Sequence, residues 1–198
     1  MIEGDCMTND GPGNQHSKSR WIAITAIMSA LALVGNYVLV AIPNVELGSG
    51  VLFVTAYLFG LPMGVWCVLV VSIIFAFFNP WGPFIPTIWL AQIVGWIFMV
   101  LAGYLLSRQY RNAVWTKSRY FEIAVVGAVV TLFFDLVTTL GYVLWFGVPY
   151  FLAVISGLPF IVIHVISNAI IFPAIIPGLD MTIKRQLEPL FNRKQSSS

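Results

Sequence analysis

Charge is the scarcest thing in this chain. Asp, Glu, Lys and Arg together make up 9 % of its 198 residues, against roughly a quarter in an ordinary soluble domain. That shortage excludes a conventional water-facing globular surface, and the wealth of apolar residues excludes a disordered chain. Cysteine is nearly missing too. Cys6 falls in a polar head and Cys67 in an apolar run, so the two are not expected to pair and cannot build a metal cage. No Gly-x-x-x-x-Gly-Lys-Ser/Thr loop is present, so the chain does not hydrolyse ATP through a P-loop. No His-Glu-x-x-His pair is present either, and nothing calls for a zinc ion, another cofactor or a nucleic acid. The first 20 residues carry acids and no apolar core, which is not the pattern of a secretory leader.

What is there is hydrophobic: 59 % of the residues, with a mean hydropathy of +0.90. The apolar residues come in runs long enough to cross a bilayer, for which a helix needs about 20 residues. The runs are Trp21–Ile42, Val51–Phe78, Ile85–Ser107, Tyr120–Phe146 and Tyr150–Ile176. The second contains Gly60-Leu61-Pro62-Met63-Gly64, a turn signal. Charge placement decides whether it crosses once or twice, because Lys and Arg stay on the cytoplasmic side. All ten lie in the head (Lys18, Arg20), one loop (Arg108, Arg111, Lys117, Arg119) and the tail (Lys184, Arg185, Arg193, Lys194). Two crossings put all of them on one side. The expectation is therefore an all-α membrane protein of six transmembrane helices with both termini cytoplasmic. Residues 1–20 form a polar tail, 21–178 the membrane domain and 179–198 a basic tail. The second helix, about Leu47–Phe59, is short for a full crossing; tilt, local bilayer thinning or shielding by its neighbours would each accommodate it. Asp180–Phe191 reads either as an interfacial helix or as a solvated tail.

Polar side chains inside the spans are few, so each carries information. Thr131, Asp135, Thr138, Thr139 and Tyr142 share one helix face. Asp135 there is a ligand contact or a helix-to-helix hydrogen bond. Gln92 has Trp96 one turn on, with Trp89 before it. Asn36 shares a face with Thr25, Ser29 and Ala32, while Ala23, Ala26 and Ala30 form an opposite face of small residues that would let another helix approach closely. His164 and Asn168 lie one turn apart. A proton role is open for His164, and an interhelical hydrogen bond is the expectation for Asn168. Ser156-Gly157 with His164 is no serine hydrolase: about 12 Å of helical rise separates them. Loops add Asn44, Glu46, Asn79 and Trp81. These groups converge on the outer half from several elements, the layout of a small-molecule site reached from outside.

In order along the chain stand Ala26 with Ala30, then Ile42-Pro43-Asn44-Val45-Glu46, Tyr57-Leu58-Phe59-Gly60-Leu61-Pro62-Met63-Gly64 and Asn79-Pro80-Trp81-Gly82-Pro83. Trp89-Leu90-Ala91-Gln92, Gly157-Leu158-Pro159-Phe160, His164 and Asn168 follow. With its size and six-helix layout, the chain resembles the substrate-binding S component of energy-coupling factor (ECF) vitamin transporters over about Trp21–Arg185. It departs in having Leu61 between Gly60 and Pro62, where many members place the proline directly after glycine. The resemblance implies capture of a vitamin or cofactor precursor from outside. It also implies a transmembrane T component, docked through the Ala23, Ala26 and Ala30 face, and two ATPase subunits. The loops at Asn44 and Trp81, with Gln92, are similar to the branch that includes cobalamin-type members. The alternatives are a stand-alone facilitator of small solutes and a membrane accessory subunit without ligand.

Overall fold

The computed structural model describes residues 12–80, 82–110 and 114–192. Among them are six helices and no strand: α1 Pro12–Tyr37, α2 Gly48–Phe59, α3 Leu61–Phe77, α4 Pro86–Tyr110, α5 Lys117–Phe146 and α6 Tyr150–Asn192. Four are long and apolar enough to cross a membrane: the Lys18–Tyr37 part of α1, Pro86–Gln109 of α4, α5, and Tyr150–Thr182 of α6. The shorter α2 and α3 are apolar as well. Large apolar side chains such as Ile27, Phe121, Phe151 and Ile170 are exposed on the outside of the bundle. In water that would be costly; in lipid it is the favoured state.

The break inside the second apolar run falls at Gly60, whose φ of 94° lies where a side chain is strained. Pro62 then falls in the first turn of α3, where a missing N–H costs nothing. α2 has 12 residues, about 18 Å of rise against ~30 Å of hydrocarbon. Shielding accommodates it. Every residue from Gly48 to Tyr57 is buried, and α2 packs against α1, α3, α4 and α6. It is a central strut rather than a lipid-facing span.

Two elements differ from the sequence reading at their ends. α1 begins at Pro12, inside the segment read as a polar head, and stops at Tyr37, leaving 38–47 as a loop. α6 runs unbroken for 43 residues, so Asp180–Phe191 is neither a separate helix nor a loose tail but the far end of α6. Asp180 helps hold that end: it is buried and accepts the Trp115 indole N–H at 2.9 Å.

The helices alternate in direction, which puts the α1–α2, α3–α4 and α5–α6 connections at one end. The described Lys and Arg residues all lie at the other.

Candidate functional site

At the end away from the basic residues lies a cavity of about 540 Å³, within the range of small-molecule pockets. Its polar lining comes from Asn36 of α1, from Asn44 and Glu46 of the 38–47 loop, from Asn79, from Gln92 of α4 and from His164 of α6. Its apolar lining is aromatic, including Phe75, Phe84, Trp89, Trp96, Phe134 and Phe146. Trp96 packs on Phe75 and Phe134, and Phe134 meets the His164 ring edge-on, so this wall is a continuous aromatic surface. Such faces suit a flat unsaturated ring.

Asn36 reaches the cavity because α1 and α2 touch through glycine. A Cβ on Gly48 would collide with Asn36 Oδ1 and the Ala32 carbonyl, and one on Gly35 would come within 2.8 Å of the Gly48 nitrogen. Asn36 is buried, and neither its Oδ1 nor its Nδ2 has a hydrogen-bond partner. A buried amide without partners is costly, and a ligand edge with a donor beside an acceptor would satisfy both atoms.

The 38–47 loop is fastened at both sides. Leu47 N–H donates to the Gly35 carbonyl, Asn44 Nδ2 to the Phe160 carbonyl, and Ser167 Oγ to the Asn44 carbonyl. Asn44 adopts φ 57°, a conformation asparagine tolerates better than most residues. Glu46 Oε2 accepts the Ser49 N–H at 3.0 Å in the first turn of α2, where a carboxylate also complements the helix dipole. Burial pushes the Glu46 carboxyl up, but the neighbouring His164 imidazole and the Ser49 bonds outweigh it and hold the group below its usual value.

His164 joins three elements. Its Nδ1 lies 2.7 Å from Asp135 Oδ1 on α5, and its Nε2 lies 3.8 Å from Glu46 Oε1 on the loop. Asp135 is buried and does not line the cavity; it stands behind the imidazole. The remaining polar groups of its stripe divide. Thr139 and Thr138 donate to the Asp135 carbonyl, Thr131 accepts from Asn168 Nδ2 at 2.9 Å, and Tyr142 reaches the cavity. Asn168 thus makes the interhelical bond expected of it.

Of the residues singled out in the sequence, the structure brings Asn36, Asn44, Glu46, Asn79, Gln92, Trp96, Tyr142 and His164 to one cavity. Asp135 and Thr139 lie outside the lining, and Trp81 lies outside the described residues. Sequence reasoning missed Phe84, Phe134 and Phe146, which look like any lipid-facing residues in an apolar run. It also missed Ser167, whose bond to the loop spans 123 positions. Ala23, Ala26 and Ala30 are exposed along one side of α1, opposite the buried Thr25, Ser29 and Ala32.

A bundle of long apolar helices with a ring-lined cavity at one end defines a membrane-embedded protein that binds a small molecule. The chain belongs to the family of ECF-type riboflavin transporter S components, whose sequence model matches residues 16–181. The resemblance to an ECF S component is borne out, and the protein is a multi-pass membrane protein of a transport family rather than an enzyme family. The family model that matches is of the riboflavin type, not the cobalamin type that the loops resemble. No curated protein and no solved structure matches the chain.

Proposed function

We propose that this protein captures riboflavin with high affinity from the external side and delivers it inward as the S component of an ECF-type transporter. The observation that carries the reading is the cavity: an aromatic wall for a fused ring system, beside the unpartnered Asn36 amide, in a chain of the riboflavin family. The isoalloxazine ring presents donors and acceptors side by side along one edge, which an asparagine and a glutamine can read. All six helices cross or sit within the bilayer, with both termini in the cytoplasm. The support is the positive-inside rule applied to basic residues gathered at the end opposite the cavity.

Energy comes from partners, since the chain carries no P-loop. A transmembrane T component docks on the exposed Ala23, Ala26 and Ala30 side of α1, and two ATPase subunits drive the cycle. The test is riboflavin uptake in a host unable to make the vitamin, with and without the T component and ATPases of the same cell. Uptake is expected only with the full set. Ala26→Trp or Ala30→Trp should stop uptake while riboflavin binding persists, because a bulky ring holds backbones apart where small residues allow close approach. Uptake by this chain alone would favour a facilitator. Loss of binding in either variant would place the alanine side in the pocket.

A further inference from the structure

Among the cavity's described lining residues Glu46 supplies a carboxyl and His164 an imidazole, and no Lys, Arg or Asp is among them. Asp135 stands directly behind His164, bonded to Nδ1. A carboxylate therefore lies at each ring nitrogen, and each nitrogen can donate, Nδ1 to Asp135 and Nε2 toward Glu46. With Glu46 ionised and one excess proton shared between Asp135 and His164, the three groups carry one net negative charge. At 3.8 Å the Nε2–Oε1 separation is too long for a direct hydrogen bond, and Nε2 is buried without any partner. Glu46 Oε2 is held by the Ser49 N–H, so Oε1 is the oxygen that faces His164.

An alcohol oxygen answers this arrangement. It accepts from Nε2–H and donates its own proton to Oε1. Two bonds of about 2.8 Å to atoms 3.8 Å apart meet at roughly 85° on the shared oxygen. A shift of Glu46 by under ~1 Å would open that to the tetrahedral angle. The Glu46 side chain, 19 % exposed against 7 % for His164 and 9 % for Asp135, has the most room of the three for Oε1 to swing while Oε2 stays on the Ser49 N–H. A phosphate monoester is mostly dianionic at neutral pH, so it seldom has a proton to give Oε1, and it brings its own negative charge against the carboxylates with no Lys or Arg among the described lining residues.

We infer that Asp135, His164 and Glu46 form a hydroxyl clamp that holds the terminal alcohol of the ligand's side chain and rejects a phosphate ester at that same oxygen. Glu46 and His164 touch the ligand, and Asp135 is a positioning residue that acts through His164. The inference rests on the riboflavin reading, and it adds how the site tells the vitamin from its phosphorylated form.

The test measures dissociation constants for riboflavin and for its 5′-phosphate, FMN, on purified wild type, Glu46→Gln and Asp135→Asn. Wild type is expected to bind riboflavin at least about tenfold more tightly than FMN. Glu46→Gln should narrow that ratio by about tenfold, since it removes a like charge and keeps the shape. Asp135→Asn changes no lining residue, yet it should weaken riboflavin and also narrow the ratio. A merely structural Asp135 would weaken both flavins alike and leave the ratio unmoved. Equal binding of the two flavins by wild type, or an unchanged ratio in both variants, overturns the clamp while leaving the riboflavin reading intact. A wild type that binds neither flavin refutes that reading, and the clamp with it.

Discussion

Gly48→Ala perturbs the fold and the site through one atom. Gly48 opens α2 where it leans on α1, and a Cβ there would run into Asn36 Oδ1 and the Ala32 carbonyl. The carbonyl is backbone and cannot turn aside, so the helices must part or the asparagine must move. Overpacking of this kind costs about 1–3 kcal/mol. Alanine returns up to ~1 kcal/mol through its better helix propensity, less in a first turn than in a helix interior. The expected net loss is about 1–2 kcal/mol. Displacing the Asn36 amide should also weaken riboflavin by about tenfold, or ~1.4 kcal/mol. Gly178→Ala is the control, because its Cβ would meet nothing within 4 Å and the residue has ordinary helical backbone. It should match or slightly exceed wild type in stability. Melting temperatures in detergent, with affinities from calorimetry, read both effects. A Gly48→Ala protein that melts no lower than wild type and binds riboflavin as tightly would refute the close α1–α2 contact and the role of Asn36 together.

Two further outcomes follow from buried polar pairs. Asn168→Ala should lower stability by about 1–2 kcal/mol and leave riboflavin affinity unchanged, because Asn168 bonds Thr131 and does not line the cavity; a melting series beside calorimetry checks both halves. Glu46 gives a pH dependence. Its folded carboxyl titrates below its usual 4.5, so its contribution is full above that value and is lost as pH falls through the folded one. The melting-temperature difference between wild type and Glu46→Gln should therefore hold from neutral pH down to about 4.5 and close below it. A difference that stays unchanged as pH falls well below 4.5 would detach the carboxylate from the stability of the loop.

Much of this architecture is visible in one dimension, for identifiable reasons. The α2–α3 break is local chemistry: Gly60 needs positive φ and Pro62 fits a first turn, so the sequence around them suffices. The two-sided character of α1 follows from helical spacing alone, with Thr25, Ser29, Ala32 and Asn36 buried and Ala23, Ala26 and Ala30 exposed. The length of α6 is not legible that way. Hydropathy falls after Ile176 and suggests an end, but a drop in hydropathy does not stop a helix, and the Trp115–Asp180 contact that secures the end spans 65 positions.

The site divides along the same line. Spacing puts Asp135 on a polar stripe, of which Thr131 and Asp135 are buried in the bundle interior and Tyr142 is exposed. Which member meets the cavity depends on α6, 29 residues on, whose His164 stands between the Asp135 carboxylate and the open space. Asn44 presents the same ambiguity. An asparagine in an outer loop suggests a ligand contact, yet its side chain and its carbonyl are both engaged with α6. Aromatic residues carry the least signal of all. Phe134 is one apolar residue among many in α5 until Trp96 and His164 are placed beside it.

The most direct test of the account is a titration of riboflavin into the purified, detergent-solubilised protein, followed by quenching of flavin fluorescence. A ring stacked among Trp89, Trp96 and Phe134 should lose its emission on binding. Saturable quenching with one riboflavin per chain is expected from a cavity of about 540 Å³. A folded, monodisperse protein that leaves riboflavin fluorescence unchanged at every concentration would contradict it.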